Sequence, residues 1–288
     1  MMRAGLTSVV MVSYFTGPCL DAAIESVLDQ PEPLELLVVD NGNPPDVVTS
    51  LQIWATREPR LRVLSGHGNV GFGAACNLGA LQASGEFLLL VNPDGVLPPD
   101  GLARFLAHAA TRRAPFLIGP CVLDGEGREQ SGSRQMELTP LSAIGGRLGL
   151  GLILPAARYN LAGSPLPAGL KPVAGTSGSC MFMRRADFWA IGGFDEGYFL
   201  YVEDVDLCLR FRRNGGDVLF APDIAFRHLG GTSDAPRIVV ERHKARGFRR
   251  YFATHFPATT WPVRMLLEAA ISAQFAWRGL RAWLHTRR

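Results

Sequence analysis

The sequence has few of the features that mark secreted, membrane-spanning or nucleic-acid-binding proteins. Its five cysteines are scattered through 288 residues without a Cys-x-x-Cys pair, which is typical of reduced thiols rather than of disulfides or a zinc site. There is no run of about 20 uncharged apolar residues, so no segment is expected to span a bilayer. A net charge of +3 is too small to favour nucleic acid as a partner. These absences favour a cytoplasmic globular protein.

The N-terminal segment also lacks the features of a secretion signal. Residues 6–12 are apolar and follow Arg3, but the run is too short and no small-residue cleavage site follows it. We therefore interpret it as a buried strand. With 47% hydrophobic and 19% charged residues, the composition is that of a folded chain. Its length suffices for one large α/β domain or two smaller ones.

The first hundred residues alternate between apolar strand patterns and helical patterns. Near-continuous apolar strands separated by helices predict a parallel sheet that is covered on both faces. In such sheets, ligands bind beyond the carboxyl ends of the strands. This rule points to Ser13, Asp40 and the turn Asn92-Pro93-Asp94. The predicted strands are 8–12, 34–39, 61–64 and 87–91, and the predicted helices are 19–28, 47–56 and 71–82.

The second half is less regular. Residues 124–171 are rich in Gly, Pro and Ser and have weak periodicity, which predicts a loop excursion without a core of its own. Strand patterns return at 180–183 and 218–221. We expect one domain over residues 1–250. A helical segment follows at 251–288.

The most informative motif is a cluster of acids among apolar residues. Glu203, Asp204 and Asp206 occupy three of four consecutive positions, flanked by Phe199-Leu200-Tyr201-Val202 and by Leu207. Carboxylates among apolar neighbours are partly desolvated, which raises the pKa. At least one of the three is therefore expected to take up a proton near neutral pH. A solvent-facing helix N-terminus would explain one or two of them equally well.

Two motifs in the first half suggest contacts to a nucleotide. Asp40, at the end of a predicted strand, could accept a hydrogen bond from a pyrimidine or a ribose, or could form an Asx turn before Gly42. Gly71 and Gly73, in the stretch from Asn69 to Asn77, could let a phosphate approach a helix N-terminus. Tight packing of the helix on the sheet explains the glycines as well. Cys76 stands where a dinucleotide fingerprint requires Gly or Ala.

Two further motifs suggest a metal site. The turn Asn92-Pro93-Asp94 offers an amide and a carboxylate, which suits Mg²⁺ or Mn²⁺ shared with diphosphate oxygens. The same residues form an ordinary turn sequence. His228, just before Gly230-Gly231, could provide a second contact to a metal or diphosphate, although a lone histidine is more often structural.

In their order along the chain, these motifs resemble the family-two inverting nucleotide-sugar glycosyltransferases, which have the GT-A fold, and most of all their rhamnosyltransferase-like branch. The resemblance covers about residues 8–233. It implies an α/β fold with a Rossmann-like, mostly parallel sheet flanked by helices, and a C-terminal amphipathic helical extension. It also implies a nucleotide-binding half over about residues 1–120 and an acceptor half over about residues 121–250. The matching motifs are Val38-Val39-Asp40-Asn41-Gly42, Asn69-x-Gly71-Phe72-Gly73, Val91-Asn92-Pro93-Asp94, Gly192-Gly193-Phe194-Asp195-Glu196, Tyr201-x-Glu203-Asp204-x-Asp206-Leu207-Cys208 and His228-x-Gly230-Gly231.

The resemblance also implies residue roles. Asp204 is expected to be the general base, with Glu203 positioning the acceptor or tuning the base. The family's Asp-x-Asp metal turn is Asn-Pro-Asp here, so Mg²⁺ or Mn²⁺ is expected on Asp94 and His228. Asp195 and Glu196 fit either a loop near the acceptor or helix capping. The donor-site residues implied are Ser13, Asp40, Asn69, Gly71, Asn77 and Asn92.

The implied reaction moves a sugar, with rhamnose a candidate, from a nucleotide diphosphate donor to a hydroxyl of a glycan or lipid-linked glycan, with inversion. An inactive, membrane-associated scaffold of the same fold is one alternative, although the acids are retained. A nucleotide-dependent oxidoreductase is another, but residues 13–18 do not supply the early Gly-x-Gly-x-x-Gly that it requires.

The C-terminal segment has a two-sided pattern. On a helical wheel, one side is apolar and the arginines lie mostly on the opposite side. Ile271 and Phe275 are apolar residues that fall outside the apolar side. Such a helix suits a membrane interface, here the inner leaflet, or packing on its own domain or a partner subunit. The apolar face comprises Leu266, Ala269, Ala273, Trp277, Leu280, Trp283 and Leu284.

Overall fold

The computed structural model describes residues 2–113, 115–147, 159–230 and 236–286, with the side chains of the last helix given as far as Trp277. Gly231, at the end of the His228 motif, lies outside the described residues. So do the side chains of Leu280, Trp283 and Leu284.

The centre of the molecule is a mixed nine-stranded sheet. Its strand order is β3-β2-β1-β4-β10-β6-β11-β5, and β8 pairs with β11. The strands β3, β2, β1 and β4 run parallel, as the alternating pattern predicts. The strands are β1 (Arg3–Ser13), β2 (Leu34–Asp40), β3 (Leu61–Leu64), β4 (Gly85–Val91), β5 (Gly95–Val96), β6 (Phe116–Leu123), β7 (Arg134–Gln135), β8 (Lys171–Pro172), β9 (Gly175–Thr176), β10 (Cys180–Arg184) and β11 (Asp217–His228).

Both faces of the sheet are buried, which explains its continuous apolar runs. Val9 and Met11 of β1 face one core cluster, and Val10 and Val12 face another, because successive side chains of a strand point to opposite faces. Helices cover both faces. They are α1 (Cys19–Leu28), α2 (Pro45–Arg57), α3 (Phe72–Gln82), α4 (Gly101–Ala110), α5 (Pro140–Arg147), α6 (Arg185–Ala190), α7 (Glu203–Arg213), α8 (Arg237–His255) and α9 (Trp261–Thr286).

The two predicted domain boundaries fall within secondary-structure elements. The boundary at 120/121 falls inside β6, and the one at 250/251 falls inside α8. Strand β10 lies between β4 and β6 and runs antiparallel to both. One sheet therefore joins the two halves, so the cores of the proposed halves are shared.

The predicted excursion at 124–171 contains more order than its composition indicates. Strand β7 pairs with β9 in a small second sheet, and α5 follows it. Leu138 is only 4% exposed and belongs to a third core cluster with Tyr251 of α8 and Ile271 of α9. This region is held by contacts with the C-terminal helices, which local periodicity does not reveal.

Helix α9 packs on the rest of the protein through one face. Leu267 and Ile271 are buried in the third cluster, and Val263 and Phe275 pack against it. The face predicted to be apolar points elsewhere, since Leu266 is 56% exposed and Trp277 57% exposed. None of the helices within the described residues is long and apolar enough to cross a membrane.

Candidate active site

The carboxyl ends of the central strands open into a cavity of about 810 Å³. Asn92 and Asp94 follow β4, His228 ends β11, and Glu203 and Asp204 begin α7. Three separate motifs of the sequence therefore meet in one place. The cavity is lined by Val12, Tyr14, Thr16, Asn41, Asn69, Gly71, Phe72, Asn92, Pro93, Asp94, Ser177, Gly178, Ser179, Phe199, Leu200, Tyr201, Glu203, Asp204, His228, Pro236, Arg237, Val239, Val240, Glu241, His243 and Lys244.

Strand pairing brings His228 to the Asn-Pro-Asp turn. His228 of β11 pairs with Gly95 of β5, and Gly95 directly follows Asp94 in the sequence. Its Nε2 lies 3.1 Å from Asp94 Oδ1 and 3.1 Å from Asn92 Nδ2. The Gly230 N–H donates to Asp94 Oδ2 at 3.0 Å. The register of two strands thus assembles a cluster whose members are 136 residues apart.

Gln130 determines which nitrogen of His228 carries a proton. Gln130 Nε2 donates to the His228 carbonyl oxygen at 2.5 Å, so Gln130 Oε1 faces His228 Nδ1 at 3.0 Å and accepts its hydrogen. In that tautomer Nε2 accepts from Asn92 Nδ2 at 3.1 Å and lies beside Asp94 Oδ1.

These residues fit a divalent cation. The Asp94 carboxylate, the Asn92 amide oxygen and the imidazole Nε2 are all suitable ligands, and metal-binding histidines commonly donate their other N–H to an oxygen. Asn92 Oδ1 is buried without a hydrogen-bond partner. Within the described ranges, no group of three or more His, Cys, Asp or Glu side chains is arranged to hold a metal ion. A cation would therefore need further oxygens from a diphosphate or water.

The two acids at the start of α7 have different partners. Asp204 Oδ2 accepts from the Gly178 N–H at 3.0 Å, and Asp204 Oδ1 accepts from the Val205 N–H at 2.9 Å. Glu203 is 5% exposed, and its Oε2 has no hydrogen-bond partner. Both lie in the first turn of α7, where the helix dipole favours negative charge.

Both acids have raised pKa values. Burial, followed by the nearby Asp204 charge, raises the pKa of Glu203 to about 8, against the N–H groups of Glu203 and Tyr201. Burial also raises the pKa of Asp204, and the N–H groups of Gly178 and Val205 oppose that shift. The pKa of Glu203 favours a proton on this residue at neutral pH, which leaves Asp204 as the candidate for the charged member of the pair.

Asp206, the third acid of the cluster, is structural. It is 1% exposed, forms an ion pair with Arg210 at 2.7 Å and shares a hydrogen bond with His255 Nε2 at 2.6 Å. Tyr198 OH donates to it at 3.3 Å. These contacts tie α7 to α8. Asp206 therefore anchors the helix that carries Asp204 and does not line the cavity.

The segment before α7 has an unusual backbone. Tyr201 and Val202 have φ values of 68° and 75°, in the left-handed region that a β-branched residue such as Val rarely adopts. The Phe199 carbonyl accepts from the Phe72 N–H at 2.9 Å. A Cβ on Gly71 would lie 2.5 Å from that carbonyl. Helix α3 therefore holds this segment closely from one side.

Gly71 lines the cavity, but the N–H groups at the start of α3 already have partners. The Gly71 N–H donates to Asn69 Oδ1 at 3.1 Å, and the Phe72 N–H is occupied by Phe199. A phosphate at the N-terminus of α3 would have to displace these contacts. The close approach that needs glycine here is between Gly71 and Phe199. At Gly73, a Cβ would lie 3.0 Å from the Phe194 side chain, as the packing alternative predicts.

The predicted nucleotide contacts lie at the ends of β1 and β2. Asp40 Oδ1 accepts from the Gly42 N–H at 3.2 Å and from the Asn43 N–H at 2.9 Å, which is the Asx-turn alternative. Ser13 is buried beside it and donates to Asn43 Oδ1 at 3.2 Å. Asn69 lines the cavity and accepts from Asn41 at 3.1 Å. Asp40 and Ser13 thus lie behind the wall that Asn41 and Asn69 form.

Three other residues singled out from the sequence do not line the cavity. Asn77 is buried, and its amide exchanges hydrogen bonds with the Phe194 backbone at 2.9 Å and donates to Glu196 at 3.0 Å. Asp195 pairs with Arg250 at 2.8 Å. Asn77 therefore joins α3 to the loop before α7. Asp195 and Glu196 neither reach the cavity nor cap a helix.

The sequence interpretation missed the wall formed by α8. His243 stacks on Phe199, with ring centroids 4.5 Å apart. Lys244 Nζ lies 4.0 Å from the Tyr201 ring centroid. Burial raises the pKa of the Tyr201 phenol, and so do the charges of Glu203, Glu241, Asp204 and Asp94 in decreasing order. Tyr201 therefore interacts electrostatically with Glu203 and Asp204 of α7 and also with Asp94. The available signal was the basic composition of residues 237–250, with six Lys or Arg and one acid.

Comparisons with known sequences show a family and several relatives of this chain. The family model described as Glycosyl transferase family 2 matches residues 8–192, ending before Glu203. The chain is 30% identical over 265 residues to N-acetylglucosaminyl-diphospho-decaprenol L-rhamnosyltransferase of Mycobacterium tuberculosis, covering 87% of this chain and 80% of that one. It is 26% identical to Rhamnosyltransferase WbbL of Escherichia coli K12, covering 74% and 80%.

A solved structure shows the same fold. It is the mannosyltransferase PcManGT from Pyrobaculum calidifontis in complex with GDP-Man and Mn²⁺, with a TM-score of 0.60, 18% identity, and 96% of this chain and 73% of that chain covered. The mostly parallel sheet with flanking helices is thus the GT-A arrangement. The chain belongs to glycosyl transferase family 2, and it is a glycosyltransferase with rhamnosyltransferase relatives.

Proposed function

We propose that the protein is an inverting glycosyltransferase that moves a sugar, with rhamnose as the first candidate, from a nucleoside diphosphate to an acceptor hydroxyl. One observation carries the proposal: Asp204 lines the same cavity as Asn92, Asp94 and His228. A base and a set of ligands for a diphosphate-bound cation are the two requirements of such a transfer.

Asp204 takes the proton of the acceptor hydroxyl as that oxygen attacks the anomeric carbon. Its two backbone N–H donors hold the carboxylate in place and keep it charged. Positioned general bases typically accelerate such steps by about 10²–10⁴-fold. Glu203, protonated beside it, donates a hydrogen bond to the acceptor or to Asp204 and adds no second charge.

Mg²⁺ or Mn²⁺ is the proposed cofactor. When bound, it supplies positive charge to the departing diphosphate. Asp94 and His228 would hold it, and the Asn92 amide, whose nitrogen now faces His228 Nε2, would have to turn over for its oxygen to join them. Gln130 keeps Nε2 of His228 available by accepting the hydrogen of Nδ1. The Mn²⁺ complex of the structural relative supports this assignment.

The nucleotide is proposed to occupy the edge formed by β1 and β2. Asn69, Gly71 and Asn92 line the cavity and are proposed to contact the nucleotide, while Asp40 and Ser13 are proposed to support this wall through their hydrogen bonds to residues 42 and 43. Asn77 is left out of this set, because its amide is engaged with Phe194 and Glu196.

The acceptor is proposed to be a glycan, in particular one linked to a polyprenyl diphosphate. The name of the Mycobacterium tuberculosis relative includes a diphospho-decaprenol acceptor and L-rhamnose transfer. The five cysteines form no disulfide, which is usual in a reducing compartment. We therefore infer a cytoplasmic site of action on an acceptor displayed by the inner leaflet.

Calorimetric titration with nucleoside diphosphates, with and without Mn²⁺, tests the proposal. We expect one pyrimidine diphosphate to bind at least tenfold more tightly with Mn²⁺, and Asp94→Asn to remove that gain. Asp100→Asn is the matched control, since Asp100 is an exposed carboxylate paired with Arg104. Binding without any metal effect would contradict the cation site, and failure to bind every nucleoside diphosphate would contradict the donor assignment.

A further inference from the structure

Helix α9 leaves one apolar face uncovered. Leu267 and Ile271 are each 4% exposed and hold the helix on the third core cluster. Met265 and Leu266 lie on the other side and are 53% and 56% exposed. Trp261, at the start of the helix, is 73% exposed. Large apolar side chains exposed together on one helix face mark an interaction surface.

Helix α8 adds positive charge beside this face. Arg242 and Arg246 are exposed and lie one turn apart, and Arg249 continues the same stripe. Burial lowers the pKa of His243, and the charges of Arg246 and Arg242 lower it further. The two guanidinium groups therefore create a positive potential at the helix that walls the cavity.

An ion pair joins the basic stripe to the apolar face. Arg249 Nε donates to Glu268 Oε1 at 2.9 Å, and Arg249 Nη2 donates to Ser272 Oγ at 3.1 Å. Met265, Glu268 and Ser272 follow one another on α9 at spacings of three and four residues, so they share one side of the helix. The basic stripe and the apolar face are thus parts of one continuous surface.

We propose that this surface, formed by Arg242 and Arg246 of α8 with Met265 and Leu266 of α9, docks on an anionic lipid bilayer. Apolar side chains next to basic ones, with a tryptophan at the edge, are the features of an interfacial membrane-binding surface. Each basic residue near an anionic leaflet adds attraction, which salt screens. A neutral protein partner would gain nothing from the arginines, which is why lipid is the favoured occupant.

The position of the surface relative to the cavity gives it a use. Arg237, Val239 and His243, in the first two turns of α8, line the cavity. The docked helix would therefore hold the cavity next to the lipid headgroups, where an acceptor carried by a lipid is displayed. This use rests on the proposed function, but membrane binding itself does not depend on it.

Vesicle flotation with the full-length protein, without substrates, tests the proposal. We expect it to float with vesicles of phosphatidylcholine containing about 30% phosphatidylglycerol, to bind at least tenfold less to phosphatidylcholine alone, and to be released by about 0.5 M salt. The double variant Arg242→Glu with Arg246→Glu should lose at least tenfold in affinity for the anionic vesicles. Leu266→Glu should also weaken binding, because it places a charge in the apolar part of the contact.

Matched controls separate this surface from net charge and from folding. Arg57→Glu with Arg113→Glu makes the same charge change at exposed positions elsewhere, and Leu81→Glu changes a leucine of α3 that is 66% exposed. Both should bind as the unchanged protein does. Equal losses in these controls would overturn the proposal, and so would a stable dimer abolished by Leu266→Glu in a protein that ignores vesicles. The calorimetric titration tests the donor site independently, so failure of one proposal does not imply failure of the other.

Discussion

Two adjacent buried carboxyl groups at the start of α7 have different hydrogen-bond partners. Asp204 has two backbone N–H donors, whereas Oε2 of Glu203 has none. Glu203 and Asp204, neighbours in the first turn of α7, are therefore proposed to have different roles. The amino-acid composition of the motif does not show which acid has which role. The proposed roles can be tested at each of the two positions with an isosteric change.

Asp204→Asn should lower kcat by about 10²–10⁴-fold, because the amide accepts no proton, and should leave nucleotide binding unchanged. Glu203→Gln should lower kcat less than tenfold, since it replaces a protonated acid with a neutral group of the same shape. Steady-state kinetics with the donor and a glycan acceptor measure both. The reverse ranking of the two variants would make Glu203 the base.

The raised pKa of Glu203, about 8, also predicts a pH dependence of stability. In the folded protein Glu203 stays protonated up to a higher pH than in the unfolded chain, where its pKa is about 4.3. Its contribution to the free energy of unfolding is therefore fully present below that pKa and is lost as the pH rises from about 4.5 to 8. Thermal melting of Glu203→Gln should fall less between pH 5 and pH 9 than that of the unchanged protein. Parallel melting profiles would contradict the assignment.

Helix α7 is positioned by contacts of its first turn and of the segment that precedes it. Asp206 binds Arg210 and His255, while Phe199 is held by Phe72 and His243. Tyr201 and Val202 have positive φ values, and the elements packed around the segment maintain this disfavoured backbone conformation. The location of Asp204 is therefore a product of α3, α7 and α8 together.

Gly71→Ala tests this constraint. The new Cβ would lie 2.5 Å from the Phe199 carbonyl oxygen, so segment 199–202 must move and carry Asp204 with it. Gly66→Ala is the matched control, since Gly66 has φ +96° against +91° for Gly71 and nothing within 4 Å of its Cβ position. We expect a destabilisation of about 1–2 kcal/mol for Gly66→Ala from the backbone conformation alone, and a larger one, with loss of turnover, for Gly71→Ala. Denaturant unfolding and kinetics measure the difference, and similar values would argue against the constraint.

The C-terminal helices are part of the folded enzyme as well as its proposed membrane surface. Leu267 and Ile271 of α9 share a buried cluster with Val202, the residue before Glu203. Helix α9 is therefore part of the core beside the proposed base. One face of α9 packs on the third core cluster, and the opposite face forms part of the proposed membrane surface.

A chain ending at residue 260 should lose vesicle binding and also stability and turnover, even with a water-soluble acceptor. Burial of the two aliphatic side chains contributes about 1.5–3 kcal/mol each, and their loss exposes the cluster around Val202. Leu266→Glu in the full chain is the control, because it should affect only vesicle binding. Thermal melting and turnover of both proteins measure this, and an intact melting temperature in the shortened chain would contradict the packing argument.

The sequence predicted the regular part of the fold because its physical basis is local. The helix Cys19–Leu28 and the strands around Val38 and Leu89 follow from apolar periodicity, and the structure confirms them. Residues 124–171 were harder to predict, since α5 is stabilised by α8 and α9 rather than by its own pattern. Ile271 and Phe275 were treated as exceptions on α9, yet they are on the face that packs on the protein. Apolarity alone does not say which of two apolar stripes a core will bury.

By itself, the sequence determined the order of strands and helices, the apolar runs that bury both faces of the sheet, and the motifs by which the family is recognised. Only the tertiary structure decided that Asp94 meets His228 through the pairing of β11 with β5, and that Asn77 is a packing residue. It also decided that Asp204 accepts from two backbone N–H groups, whereas Oε2 of Glu203 is buried without a partner. Periodicity is a property of neighbours along the chain, whereas strand register, burial and hydrogen-bond partners depend on residues more than a hundred positions apart.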